Sequence, residues 1–386
     1  MSESQYFMIP GPTQVPPSIL RAGSAPMVNH RGPEYQEMFK ELTANMQAIY
    51  KTKNDLLTLT SSGTGGLEAS VSNFLNVGDK VIVASIGNFG DRYYDVCKKF
   101  GINAELIAFE WGTPIDPDVI ARRLKEDVNH EIKAVLCQHN ETSTGVYNDL
   151  AAVSAARGDH PAMLFVDSIS GLGAVPLETD AWELDVVVAA SQKALMSPPG
   201  LAFVSVSARA WQAYDKCSNS RFYFDLKSAK EFLKKWQNPF TPAVATVYSA
   251  LAATRMILEQ GIDAYVAEHF LRRDIIRAGV EGMGLKCLSE QYCASPVVTT
   301  ILLPEGDISP SQIIKPLREK FNIVLAGGQG KLKDSIFRIG HVGYMNMMDI
   351  LVAMSGIEMA LTKAGYPVVL GSGVGAAQKY MLDNLW

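Results

Sequence analysis

The chain has 386 residues, 47% of them hydrophobic and 19% charged, with 35 basic and 40 acidic side chains and a net charge of −5. A single core rarely extends past roughly 250–300 residues, so two domains are expected. The charges form no basic stripe and no apolar run approaches the roughly 18 residues of a membrane span, which excludes a nucleic-acid or membrane partner on electrostatic and hydropathy grounds.

The N-terminal stretch MSESQYFMIPGPTQVPP has no basic start and no long apolar run, so it is not expected to be a signal peptide. Next comes a helical pattern over 35–50, in which Tyr35, Met38, Phe39, Leu42, Met46, Ile49 and Tyr50 share one packing stripe. From there short β-type runs recur: LLTLT (56–60), KVIVAS (80–85), AELIAF (104–109), IKAVLCQ (132–138), AMLFVD (162–167), DVVVAA (185–190) and LAFVSV (201–206). Helical patterns alternate with them over 66–75 and 92–100, and in DPDVIARRLKE, where Asp116 is the N-cap and Pro117 stands in the first turn. This alternation predicts an α/β fold with a mostly parallel seven-stranded sheet covered on both faces. Ligands of such sheets bind at the carboxyl ends of the strands.

After about Thr246 the texture changes to long helices, then strand PVVTTILLP, helix SPSQIIKPLREKF, strand IFRIG and helix MMDILVAMSGIEMALTKAG. These predict a smaller C-terminal α+β domain. The expected division is an N-terminal arm over 1–20, a large domain over 21–258 and a small domain over 259–386. VVLGSGVGAAQ (368–378) has the glycines of a dinucleotide turn, but the chain after it is shorter than the roughly 30 residues of a Rossmann unit, so it reads as a helix start. The cysteines at 97, 137, 217, 287 and 293 form no Cys-x-x-Cys pair, and the six histidines no His-x-x-x-His pair. Free thiols in a reducing cytoplasm are therefore expected, and no metal site.

The chemistry gathers at strand ends. Three valines at 186–188 lead to Lys193 and then to SPPG. A strand-end lysine ordinarily snorkels into water; held in a pocket instead, it becomes a nucleophile toward aldehydes. AMLFV ends in Asp167, a carboxylate costly to bury without a partner. LLTLT ends in SSGTGGLEAS, a Gly-rich turn whose N–H groups and hydroxyls suit a phosphate. Each feature alone is ordinarily a cap, a loop charge or a structural turn. Together they meet the needs of Schiff-base chemistry on pyridoxal 5′-phosphate: a lysine for the aldehyde, a carboxylate for the pyridine nitrogen and a helix start for the phosphate.

With those residues in place, the chain resembles the class V pyridoxal-phosphate-dependent aminotransferases of fold type I, the alanine–glyoxylate, serine–glyoxylate and serine–pyruvate group. The resemblance rests on PGPTQVPPSIL, SGTGGLEA, ETSTGV, VDSISGLGAVPL, SQKALMSPPGLAFVSVS, TPAVATVYSAL and FRIGHVGY, in the family's order over nearly the whole chain. It implies Lys193 as the cofactor-holding acid–base and Asp167 as the partner of the pyridinium. It implies phosphate binding by Ser62, Gly63, Thr64 and Gln192, with Thr241 reaching across a homodimer interface into a shared active site. Phe89 would stack on the ring, Thr142 would orient it, and Arg338 would bind the substrate carboxylate. Two positions depart from the pattern. Phe89 stands where relatives often carry tryptophan, and Asn238 where some have a phosphate-contacting tyrosine. His30 and Arg31, in NHRGPEY, are further candidates for the neighbourhood of the site.

The implied activity is ping-pong transfer of an amino group from alanine or serine to glyoxylate or pyruvate. Donation from aminoethylphosphonate or ureidoglycine, and a hydrogenase-associated subunit role, stand as alternatives. A cysteine desulfurase would need a cysteine in GGQGKLKDSIFRIG (327–340), which has none.

Overall fold

In the computed structural model, which describes residues 5–385 except 305 and 307, all seven apolar runs enter one sheet. Residues 1–4 of the expected arm and residue 386 of the expected small domain lie outside the described residues. The strands are β1 (Asp55–Thr60), β2 (Lys80–Ser85), β3 (Asn103–Ala108), β4 (Ile132–Gln138), β5 (Met163–Asp167), β6 (Val186–Ala190) and β7 (Leu201–Val206), in the spatial order β1-β7-β6-β5-β4-β2-β3. Neighbours pair in parallel except β7, which runs antiparallel to both β6 and β1. The reason is local. Segment 191–200 between β6 and β7 contains no helix, and a parallel return needs a crossover of about a dozen residues or more.

Strands β5, β6 and β7 are buried along their whole length. Their alternate side chains feed two cores: Val187 and Ala189 point to one face, Val186 and Val188 to the other. Asp116 caps the helix Pro117–Glu126 by accepting the N–H of Asp118 at 2.9 Å, as its sequence context predicts. The packing stripe of the 35–50 pattern appears on the helix Pro33–Tyr50, where Tyr35, Phe39, Leu42, Met46, Ile49 and Tyr50 are all buried.

A third core surrounds a four-stranded antiparallel sheet made of Lys286–Cys287, Val298–Leu302, Ile336–Gly340 and Ala326–Gly327. Helices Val244–Gln260 and Ile262–Gly282 lead to it, with Gly261 between them at φ +87°. Met8, from the N-terminal segment, is buried in this third core. No helix among the described residues is long and apolar enough to cross a membrane.

Candidate active site

Five strands carry the site at their carboxyl ends. Directly after β1, Ser62 stands at the N-cap position of helix α1 (Gly63–Phe74) and makes no side-chain cap bond, which leaves the helix start open. The glycines of this turn answer to packing as well as to ligand approach. A Cβ on Gly66 would stand 2.6 Å from Val188, so only glycine lets α1 lie this close to β6.

Lys193 follows β6, and its main chain is fixed by Thr13, whose N–H donates to the Gln192 carbonyl at 3.1 Å and whose hydroxyl donates to the Lys193 carbonyl at 3.1 Å. The amine donates to the carbonyl of Pro10 at 2.7 Å. Burial pushes its pKa down to about 8; Arg338 and Arg92 act in the same direction and Asp167 opposes them. Asp167 ends β5 and is 5% exposed. Burial lifts its carboxyl to about 7, and Glu141 adds to that rise. The Ile169 N–H bond at 2.9 Å and the charges of Arg92 and Lys193 hold it back.

Beyond β4 the chain turns sharply through His139–Gly145. Asn140 donates to Ser170 at 3.0 Å and accepts from Ser295 at 2.6 Å, which pins the turn between two distant segments. The Thr142 carbonyl accepts Nη1 of Arg338 at 2.7 Å, and Nε of the same arginine donates to the Gly327 carbonyl at 2.8 Å. Burial lowers the Arg338 pKa to about 10, against the opposing charge of Glu141, so the guanidinium is a cation at neutral pH. After β2, helix α2 (Asn88–Lys99) presents Phe89 in its first turn, with the Arg92 guanidinium 4.7 Å from the ring centroid.

One cavity of about 130 Å³ brings these pieces together. Of the residues singled out in the sequence, Ser62, Gly63, Thr64, Phe89, Thr142, Asp167, Gln192 and Lys193 all line it. Arg338 stands behind Thr142 through the bond to its carbonyl. Thr241 is elsewhere, in a separate indentation beside Tyr223, Asn238 and Phe240. The side chain of Asn238 is used within the fold, accepting from Tyr35 at 2.6 Å and donating to the Thr58 carbonyl at 2.9 Å. Neither His30 nor Arg31 lines the cavity; Arg31 donates to the Asn238 carbonyl at 2.6 Å and the Pro239 carbonyl at 3.0 Å.

Sequence reasoning missed Arg92, Asn140, Ile169 and Ser170 as lining residues. Two signals were available: Arg92 is one helical turn beyond Phe89, and Ile169 and Ser170 are two and three residues beyond Asp167. Glu141 was missed as well, although it opens the quoted motif ETSTGV.

These groups suit pyridoxal phosphate. A buried amine of lowered pKa, a carboxylate and a helix start flanked by hydroxyls surround one space, and the side-chain amide of Gln192, whose oxygen has no hydrogen-bond partner among the described residues, lines it with an NH2 able to donate. The donor set therefore matches an aldehyde, a ring nitrogen and a phosphate.

Residues 5–341 match the family model described as aminotransferase class-V. The soluble hydrogenase 42 kDa subunit of Anabaena cylindrica is 39% identical, over 98% of this chain and 99% of that protein. A serine–glyoxylate aminotransferase of Methylorubrum extorquens is 36% identical, over 98% of this chain and 96% of its own length. Among solved structures, the ureidoglycine–glyoxylate aminotransferase of Bacillus subtilis superposes with a TM-score of 0.92 at 26% identity, covering 99% of both chains.

Proposed function

The chain belongs to the class-V aminotransferases, and from that premise we propose that it moves the amino group of a small amino acid, alanine or serine, to glyoxylate or pyruvate. The observation that carries this reading is the pairing of Lys193 and Asp167 at the ends of adjacent strands, both lining one small cavity that also holds an open helix start. The cofactor of the family, pyridoxal phosphate, supplies when bound an aldehyde that accepts the amino group and a ring that takes up negative charge.

The protein's part follows from its own groups. Lys193, with its pKa lowered to about 8, has a substantial neutral fraction near neutral pH and serves as the base and then the acid for the substrate's Cα proton. Asp167 would meet the ring nitrogen of the bound cofactor and keep a proton there. Ser62, Gly63, Thr64 and Gln192 would hold its phosphate at the start of α1. Phe89 would form a shelf for the ring, and Thr142 would help orient it.

Arg338 has Nε and Nη1 anchored on carbonyls and Nη2 without a hydrogen bond among the described residues, which leaves donors for a substrate carboxylate. The Pro10–Gly11 segment lies against the amine.

The reading includes a homodimer with shared sites. Thr241 is outside its own cavity, beside Phe222, 79% exposed, and the stacked pair Tyr223 and Phe240. An aromatic patch of this kind suits contact with a second copy, and Thr241 of the partner subunit would complete the phosphate site. All five cysteines are free, which supports a reducing compartment such as the cytoplasm.

The deciding experiment is the absorbance spectrum of the protein loaded with pyridoxal phosphate, before and after L-alanine, L-serine and ureidoglycine. The reading expects a visible band that collapses toward the near-ultraviolet with alanine or serine and returns with glyoxylate or pyruvate. A band that responds only to ureidoglycine replaces the proposed donor. A band inert to every donor sinks the catalytic reading and favours the subunit role that the hydrogenase-named relative suggests.

A further inference from the structure

Glu141 has no role in the reading above, yet its carboxylate is 0% exposed at the point where the site's elements meet. Its Oε2 accepts the N–H groups of Phe89 and Gly90, each at 3.0 Å. Its Oε1 accepts the N–H of Ser143 at 3.0 Å and the Ser143 hydroxyl at 2.5 Å. Four donors converge on two oxygens, so the surroundings are built for the anion; a protonated oxygen would turn its hydrogen toward a donor. Burial raises the carboxyl's pKa and these same four bonds oppose the rise.

The approach is close on the other side too. A Cβ on Gly87 would stand 2.4 Å from Cγ and 2.5 Å from Cδ of Glu141, although the backbone there is ordinary extended chain at φ 172°. Glycine is required at that position because the glutamate lies against it. The carboxylate thus fixes where α2 starts, and with it the place of Phe89. A second tie runs from the Asn88 N–H to the Ser143 hydroxyl at 2.9 Å.

One residue further on, the Thr142 carbonyl holds Nη1 of Arg338, and the Glu141 charge favours the charged form of that guanidinium. The turn therefore touches the ring shelf through a side chain and the substrate arginine through the adjacent carbonyl. A glutamate that merely capped a helix would not also neighbour the carbonyl that holds Arg338.

We propose that Glu141 is a positioning residue of the transamination site, holding Phe89 and Arg338 in one register through the turn Glu141–Ser143. The proposal rests on the aminotransferase reading for the roles of those two residues. It touches neither substrate nor cofactor itself.

The test compares Glu141→Gln with the wild-type protein. Glutamine keeps the size but turns an NH2 group toward donors that need an acceptor. The dissociation constant of pyridoxal phosphate from the apoprotein is expected to rise about tenfold, and the KM of the amino donor and of the oxo acid to rise together by a similar factor, the scale of one lost charge-assisted hydrogen bond. Wild-type values of both quantities overturn the proposal. So does a lowered melting temperature with both constants unchanged in the folded protein, which would make Glu141 a structural cap.

If Glu141→Gln gives no folded protein, Ser143→Ala removes one donor to Glu141 and the acceptor for Asn88. It is expected to move the same constants by about two- to threefold, as a weaker neutral bond would; no movement there overturns the proposal. A wild-type protein that binds the cofactor but transaminates no donor sinks the functional reading alone, and the cofactor dissociation constant still reports on the hold that Glu141 has on Phe89.

Discussion

The Lys193 amine and the Pro10 carbonyl are 2.7 Å apart across a sequence separation of 183, so a piece of the N-terminal segment covers the amine at a distant strand end. The segment is held from both sides. Its Thr13 bonds the carbonyls of Gln192 and Lys193, and its Met8 carbonyl accepts the Gly340 N–H at 2.8 Å. The arm thereby joins the lysine loop to the strand that carries Arg338.

Gly11 is the point of closest approach. A Cβ there would stand 2.5 Å from the Lys193 Nζ, and φ is +127°, a region in which side chains are strained. Gly11→Ala is expected to displace the amine or the arm. Cofactor affinity should fall by at least about tenfold while the far-ultraviolet circular dichroism stays unchanged, since a strained backbone position costs on the order of 1–3 kcal/mol. An absorbance titration of the apoprotein with pyridoxal phosphate measures it; wild-type affinity would show that the arm yields freely.

The lowered pKa of Lys193 has two consequences for pH. Only the neutral amine attacks an aldehyde, so the rate of cofactor uptake should climb with pH and level off above about 8 rather than near 10.5. Asp167→Asn removes the charge that props this pKa up, so its half-point should fall further. In the apoprotein, between about 8 and 10.5, the unfolded chain binds a proton that the folded chain lacks, so Lys193 makes stability rise with pH there. Asp167, raised from 3.8 to about 7, does the reverse: its folded form holds the extra proton, and stability drops as pH climbs through that window. Stopped-flow absorbance and urea titrations across pH check both signs. An uptake half-point near 10.5 would mean a solvated amine.

Some of this site was legible in the chain and some was not, for identifiable reasons. Strands buried on both faces appear as continuous apolar runs, so the polar residues that end them, Asp167 and Lys193, stood out at once. The reversal of β7 was not read, because its cause is a helix that is missing from 191–200. Pro10 acts through a carbonyl, which every residue has, so no side chain advertised it. Glu141 accepts backbone N–H groups 52 and 51 positions away, at Phe89 and Gly90, and such pairing leaves no periodic trace. Tyr35 was rightly placed in the packing stripe, but its hydroxyl's bond to Asn238 appears only once the fold brings them together.

Arg338 is held by two carbonyls set at the angle of a planar fork, Nε on Gly327 and Nη1 on Thr142. A lysine at this position cannot satisfy both carbonyls and still present donors to a carboxylate. Arg338→Lys should reduce kcat/KM for glyoxylate or pyruvate by about ten- to a hundredfold, the value of one or two charge-assisted bonds. The resting absorbance of the bound cofactor should be unaltered, since Arg338 is not among the residues lining the cofactor cavity and its unbonded Nη2 serves the substrate alone. Steady-state kinetics with each oxo acid provide the measurement, and an undiminished kcat/KM would move the substrate carboxylate to another cation, such as Arg92, an arginine that lines the cavity.

Tyr35 and Asn238 test whether the second departure from the family pattern matters for the phosphate. Tyr35 is 0% exposed, and burial pushes its phenol pKa far up, so its hydroxyl remains a donor. It donates to Oδ1 of Asn238, whose amide in turn donates to the Thr58 carbonyl of β1. Both ends of the asparagine are thus committed to the fold. Tyr35→Phe leaves Oδ1 buried without that donor and should cost about 1–3 kcal/mol in urea unfolding. Because the amide does not face the cavity, cofactor affinity should stay at the wild-type value. A variant with unchanged stability and weakened cofactor binding would instead place Asn238 on the phosphate, and the tie to Tyr35 would be incidental.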